Sequence, residues 1–232
     1  MCLHKEKHHT DRRYPSNLGY SCLMSNSGHH KSSGLWSLIL AAGNSSRLKT
    51  PKQLLRYRSR FLLSHAISSA EVVTPNQVLV VLGSNALKLR LLLKRHHPDI
   101  YSITNTEWEK GMGSSLSVGL SAMPERAKAV LVLVSDQPCV GIKPLNRLVQ
   151  TWSRRPSHVA AAYYKTNFGV PAILPRKTWD EAKKLTGDIG ARQLLRESAT
   201  PISAVPMPEA IFDVDIQKDA ESLKNRTLPH FG

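Results

Sequence analysis

The chain has 232 residues, 41% of them hydrophobic, with 32 Lys and Arg against 17 Asp and Glu for a formal net charge of +15. That length suits one α/β domain with a tail rather than two full domains. No segment approaches the roughly 18 uninterrupted apolar residues of a membrane helix, and the first thirty lack the apolar run of a secretory signal, so the expected location is cytoplasmic with no membrane partner.

Cys2, Cys22 and Cys139 lie far apart in none of the paired spacings of a zinc or redox motif, and read as reduced bystanders. The positive charge favours polyanions, whether nucleic acid, a membrane surface or phosphorylated small molecules. Its distribution argues against nucleic acid, because the basic residues are scattered. The nearest cluster, Lys88, Arg90, Lys94 and Arg95, sits among leucines at helical spacing and reads as the solvated face of an amphipathic helix.

Residues 1–34 are rich in His, Ser, Lys and Arg with little apolar periodicity, and are expected to form a disordered leader ahead of a single domain at 35–232. Beyond them, short β-branched or leucine-rich runs alternate with helical stretches, the pattern of βαβ units on a mostly parallel sheet. Strands are expected at 37–42, 78–82, 100–105, 129–135, 159–164 and 170–174. Helices are expected to begin near Phe61, Ala86, Ser114, Pro144, Thr178, Gly190 and Lys218. In open α/β sheets ligands sit at the carboxyl ends of the strands, so the residues just after each strand carry the functional reading.

The first strand runs into Leu40-Ala41-Ala42-Gly43-Asn44-Ser45-Ser46-Arg47, followed by Pro51-Lys52-Gln53-Leu54-Leu55. Small residues at Ala41, Ala42 and Gly43 let backbone N–H groups approach a phosphate or a base, and Arg47 and Lys52 can neutralise a triphosphate from two sides. The segment is neither a Walker A loop nor a dinucleotide fingerprint, and an ordinary strand-to-helix turn with two exposed cations is the alternative. At the fourth strand end, in Ser135-Asp136-Gln137-Pro138, Asp136 could hold Mg²⁺ or simply cap the following turn. Asp213 and Asp215 follow another apolar run, and as alternating residues of a strand they would face one side. Trp36, Trp108, Trp152 and Trp179, with Met112 and Met123, read as packing residues, and Cys139 as a structural cysteine.

Seven segments in order along residues 36–223 resemble the molybdenum-cofactor cytidylyltransferases, relatives of the guanylyltransferases and of sugar-phosphate nucleotidyltransferases. They are Leu40 to Gly43 with Ser46-Arg47-Leu48 and Pro51 to Leu55; Val80 to Gly83; Asn105 to Trp108 with Gly111 to Leu116; Ser135 to Pro138; Gly169 to Ala172; Gly187 to Arg192; and Asp213 to Asp215. The resemblance implies a three-layer α/β/α, Rossmann-like nucleotidyltransferase. Its NTP would bind at Leu40, Ala41, Ala42 and Gly43, with Arg47 and Lys52 on the triphosphate and Lys52 stabilising charge as pyrophosphate leaves.

It further implies Mg²⁺ on Asp136 and Asp215, Asn105, Gly111 and Ser114 bordering the nucleotide, and Asp188 and Arg192 on the side of the second substrate. The substrates implied are CTP and molybdenum cofactor, with the recipient molybdoenzyme or its chaperone as protein partner. Ala42, where guanylyltransferases tend to carry glycine, favours CTP by narrowing the space for a purine. The chain departs from the family at Lys49-Thr50, where a glycine is usual, and at Ile216 to Asp219, where the change weakens the expected helix start. A related transferase acting on a sugar phosphate or another phosphorylated acceptor, a non-catalytic carrier of nucleotide or cofactor, and a basic nucleic-acid module are the competing readings.

Overall fold

Seven strands make the central sheet of this computed structural model, which describes residues 34–48, 50–185, 187, 195–196 and 199–225. These belong to one compact unit, Ser32–Gly232. The expected leader, apart from Gly34, lies outside the described residues, as do Lys49, Asp188, Arg192 and the start of the helix expected near Gly190.

In chain order the sheet strands are β1 (Leu35–Ala41), β4 (Val78–Leu82), β5 (Tyr101–Thr104), β6 (Ala129–Val134), β7 (Val159–Tyr164), β8 (Asn167–Pro175) and β9 (Ile202–Pro206). A separate two-stranded ribbon pairs β2 (Arg56–Tyr57) with β3 (Arg60–Phe61). The helices are α1 (Leu62–Val73), α2 (Ala86–His96), α3 (Met112–Ser121), α4 (Ile142–Arg154), α5 (Trp179–Ala182) and α6 (Gln217–Asn225). All six expected sheet strands form, within a few residues of the expected limits. The ribbon and β9 were not anticipated: two-residue strands carry no readable alternation, and β9 is short and only partly buried.

Strand order is β5-β4-β1-β6-β8-β7-β9. β1 pairs in parallel with β4 and β6, β4 with β5, and β7 with β9, whereas β8 runs antiparallel to both β6 and β7. Both faces of the sheet are covered, which is why β1 is buried along its whole length. Its alternate residues serve two cores: Leu35, Ile39 and Ala41 pack with α1, α2 and α4, and Trp36, Leu38 and Leu40 pack with α3 and α5. The chain crosses from β1 to β4 on one side and returns to β6 on the other, so β1 is where the winding reverses. Leu40 stands opposite Val134, so β1 and β6 end side by side and their following loops open a shared crevice.

Asp213 and Asp215 do not lie on a strand. They occupy the extended link between a 3-10 turn at Pro208–Ile211 and α6, so their placement comes from tertiary contacts rather than from strand alternation.

Candidate active site

The crevice holds two adjoining cavities of about 320 and 560 Å³. The first is bounded by the β1 loop (Leu40, Ala42, Gly43, Asn44), by Trp108, Glu109, Gly111 and Met112, and by Lys52, Gln53 and Asp136. The second runs on past Arg47, Lys52 and Asp136 to Tyr164, Val170, Asp213 and Asp215. Gly43, Asn44, Lys52, Met112, Val134 and Asp136 border both, so the two are one continuous cleft.

Lys52 stands at the junction. Its Nζ donates to Asp136 Oδ2 and, at 3.0 Å, to Asp215 Oδ1. Burial works to lower the Lys52 pKa, but the Asp136 carboxylate and then Asp215 outweigh it, and the net shift is upward. A raised lysine pKa means that the ammonium's contribution to stability is present below the ordinary lysine value and is lost only as pH rises through the raised one. Lys52 therefore meets substrate as a cation.

Three links bring these groups together from segments far apart in sequence. The Val214 N–H donates to the Asp136 carbonyl at 3.0 Å, which sets Asp215 beside Asp136. Buried Gln137 donates from Nε2 to the carbonyls of Ala210 (3.1 Å) and Val170 (3.4 Å) and so ties the β6 loop to both neighbours. Asp219 Oδ2 accepts from the backbone N–H groups of Asp215 and Ile216, each at 2.9 Å. That last contact is the acidic half of a capping box, reaching back from the first turn of α6. The helix start that Ile216 to Asp219 was expected to weaken is thus supplied with an acceptor for two N–H groups.

The β1 loop is held by a residue that sequence reasoning left without a role. Gln53 is 1% exposed, and its Nε2 donates to the carbonyls of Ala41 and Gly43, each at 3.0 Å. Ser45 adopts a left-handed backbone (φ 57°), and its Oγ accepts the Lys52 N–H at 2.9 Å, closing the loop onto the lysine segment. Gly83 sits under the same loop. A Cβ there would lie 2.5 Å from the Ala42 carbonyl oxygen and 2.7 Å from Trp108 Cβ, so only glycine lets β4 approach this closely.

Among the expected nucleotide residues, Leu40, Ala42, Gly43, Lys52 and Gly111 line the first cavity and Arg47 lines the second. Ala41 turns into the core and presents its carbonyl to Gln53. Asn105 is buried and spends its amide on Ser114 Oγ (2.9 Å) and Ser115 Oγ (3.0 Å), while its Oδ1 accepts the Glu107 N–H (2.9 Å). Ser114 in turn donates to the Gly111 carbonyl. Both residues shape the Trp108 to Gly111 wall from behind rather than facing the cavity.

Trp108 and Met112 depart from the expectation of packing roles, since both line the cleft and Met112 is 38% exposed. Trp36, Trp152, Trp179 and Met123 are buried as expected. The turn is braced by Gly187, whose N–H donates to Lys110 and whose carbonyl accepts from Gly113. Cys139 is half-buried, and burial first of all pushes its thiol up, which suits a structural rather than a nucleophilic role.

The donor set fits a hard divalent cation. Asp136 Oδ1 is buried with no hydrogen-bond partner, and the Asp215 side chain is 47% exposed beside it. Among the described residues no three His, Cys, Asp or Glu side chains converge as a metal site. A pair of carboxylates that leaves the remaining positions to water and substrate phosphate is the usual arrangement for Mg²⁺.

A mostly parallel sheet with a small-residue loop after its first strand and a lysine between two aspartates suits nucleotidyl transfer. The chain belongs to the family of MobA-like NTP transferase domains, which it matches over residues 37–202. It is 34% identical over 171 residues to nicotine blue oxidoreductase of Paenarthrobacter nicotinovorans, covering 69% of this chain and 80% of that one. It is 27% identical over 186 residues to the bifunctional protein GlmU of Cutibacterium acnes, covering 72% of this chain but only 44% of GlmU. Among solved structures, Rv0371c from Mycobacterium tuberculosis H37Rv superimposes with a TM-score of 0.72 at 26% identity, covering 84% of this chain and 99% of that one. The same mycobacterial protein has been crystallised with manganese, and that structure gives a TM-score of 0.67 at 25% identity over 82% of this chain and 98% of the other. Among the described residues no helix is long and apolar enough to cross a membrane.

Proposed function

We propose that the protein transfers CMP from CTP to molybdenum cofactor, giving the cytosine dinucleotide form and pyrophosphate. The observation that carries this reading is the Lys52–Asp136–Asp215 cluster at the junction of two cavities, one at the start of the β1 loop and one that follows the rest of it past Arg47 to Asp213 and Asp215. A reaction that joins two phosphorylated substrates needs such a meeting point.

The terminal phosphate oxygen of the pterin attacks the α-phosphorus of CTP in line. A new phosphorus–oxygen bond forms while the bond from the α-phosphorus to the oxygen bridging it to the β-phosphorus breaks, and that electron pair leaves with pyrophosphate. Lys52 and Arg47 hold the triphosphate and offset the negative charge that grows on the departing group. Gln53, by fixing the Ala41 and Gly43 carbonyls, keeps the β1 loop open to the nucleotide. Asp136 and Asp215 would hold Mg²⁺, which when bound supplies further neutralisation of phosphate charge. Ala42 in the wall of the first cavity supports a pyrimidine there. Asp188 and Arg192 belong to the second-substrate side in this reading, and the recipient molybdoenzyme or its chaperone is the partner that takes the product.

The test is Mg²⁺-dependent pyrophosphate release with CTP and with GTP, each with and without molybdenum cofactor. Release with CTP only in the presence of cofactor is expected, falling about 10²–10³-fold in Lys52→Ala and in Asp136→Ala. Binding of CTP without turnover would replace the reading with that of a carrier. A sugar phosphate as acceptor is the second reading that the resemblance to sugar-phosphate nucleotidyltransferases leaves open, so glucose 1-phosphate is included. Because one relative bears an oxidoreductase name, NADPH oxidation is followed in parallel, and turnover there would displace the transferase reading.

A further inference from the structure

Lys52 holds two carboxylates at once, its Nζ donating to Asp136 Oδ2 and to Asp215 Oδ1. The other Asp136 oxygen, Oδ1, is buried. The oxygen through which Asp136 can reach a cation in the cleft is therefore the one that the ammonium already covers. We propose that Lys52 is the resident cation of this site, a built-in lock that keeps free divalent metal off Asp136 and Asp215 until nucleotide phosphate draws the ammonium away. The proposal rests on the nucleotidyl-transfer reading, which puts Mg²⁺ on these two carboxylates and Lys52 on the triphosphate.

Those two roles exclude the contact that Lys52 makes. Mg²⁺ sits at about 2.0–2.1 Å from its oxygen ligands, so an ion bridging Asp136 Oδ2 and Asp215 Oδ1 fills the space beside Nζ and repels it. Lys52 has another place to go, because it borders both cavities. Its backbone N–H is fixed to Ser45 Oγ at 2.9 Å, and the four-carbon stem can swing the ammonium across the cleft from that fixed root.

The carboxylates cannot simply be left bare between the two states. The Lys52 and Asp136 side chains are only 18% and 13% exposed, and a charge so far from water is costly unless it is paired. A cation is thus needed at every stage, lysine before substrate and metal with it. A triphosphate serves both halves of the exchange, since its oxygens receive the ammonium and also ligate the metal. A metal ion arriving alone must displace Lys52 with nothing to receive it, so metal and nucleotide binding are positively coupled through this one side chain.

The full chain is titrated with Mn²⁺ alone, free ion being followed by electron paramagnetic resonance, and thermal unfolding is recorded with and without the ion. Lys52→Met is compared with the parent and with Arg47→Met, which removes an exposed cation from the same cleft. Lys52→Met is expected to bind Mn²⁺ about tenfold more tightly than the parent and to gain thermal stability on adding it, with Arg47→Met within about twofold of the parent. The gain in Mn²⁺ affinity on adding CTP is expected to be about tenfold smaller in Lys52→Met than in the parent. Lys52→Gln, which keeps a donor for the carboxylates without the charge, carries the same comparison should Lys52→Met fail to fold. Equal Mn²⁺ affinity in the parent and the Lys52 variant overturns the proposal, as does Mn²⁺ binding by none of them. An equal tightening in Arg47→Met overturns it too, since that reports only a general loss of positive charge. Failure of the parent to transfer CMP to any acceptor would sink the transferase reading instead, and the titration with Mn²⁺ alone still decides whether Lys52 guards the carboxylates.

Discussion

Gly43 borders both cavities at the junction, and a side chain built there would meet no protein atom within 4 Å. Gly43→Ala should leave the thermal unfolding midpoint unchanged and weaken nucleotide binding by about 1–3 kcal/mol, because the methyl intrudes on ligand rather than on protein. Calorimetric titration with CTP beside an unfolding scan checks this, and a loss of stability without a loss of affinity would place the nucleotide elsewhere. Its neighbours differ sharply. Ala41 faces the core, and Gln53 holds both Ala41 and Gly43 by their carbonyls. The residue types of the loop were readable in the sequence, but its clamp was not, since a glutamine two places after a proline looks the same whether it is exposed or 1% exposed.

At the scale of elements, the start of α6 sets the second aspartate. Asp219 accepts from the N–H groups of both Asp215 and Ile216, and Val214 is pinned to the Asp136 carbonyl. Asp219→Ala should cost about 1 kcal/mol of stability, as loss of a helix cap does, and should also loosen Asp215. The expected signature is a rise in the Mg²⁺ concentration for half-maximal activity with kcat nearly unchanged at saturating Mg²⁺; a fall in kcat alone would argue that Asp219 acts through the nucleotide. The element also shows a limit of pattern reading. Asp213 and Asp215 looked like alternate residues of a strand, yet they lie on an extended link whose partner is the β6 loop. Periodicity over four residues cannot tell a strand from an extended connection, because only the hydrogen-bonding neighbour differs.

At the scale of the whole molecule, His97 is a titrating group that lies away from the cleft. His97, at the end of α2, is half-buried with Nε2 unpartnered, and burial first, then His96 and Arg60, hold its pKa below the ordinary value of 6.5. A depressed histidine pKa means that the folded state takes up the proton less readily than the unfolded one. Its stability is therefore complete above the ordinary value and is lost as pH falls through the folded value. Denaturant midpoints should decline as pH falls below the ordinary histidine value of 6.5, and His97→Leu should flatten that decline. An unaltered slope in the variant would assign the acid sensitivity to other groups.

The sequence by itself determined the alternation of strands and helices, six of the central sheet's seven strands, and the residue types at their carboxyl ends. These are local properties, since apolar period and turn chemistry act within a few residues. Tertiary structure alone decided that Lys52 bridges Asp136 and Asp215, and that Trp108 and Met112 face the cleft while Asn105 braces it. Those depend on contacts between segments as much as 163 positions apart, and no local preference encodes which distant backbone a side chain will meet once the sheet has formed.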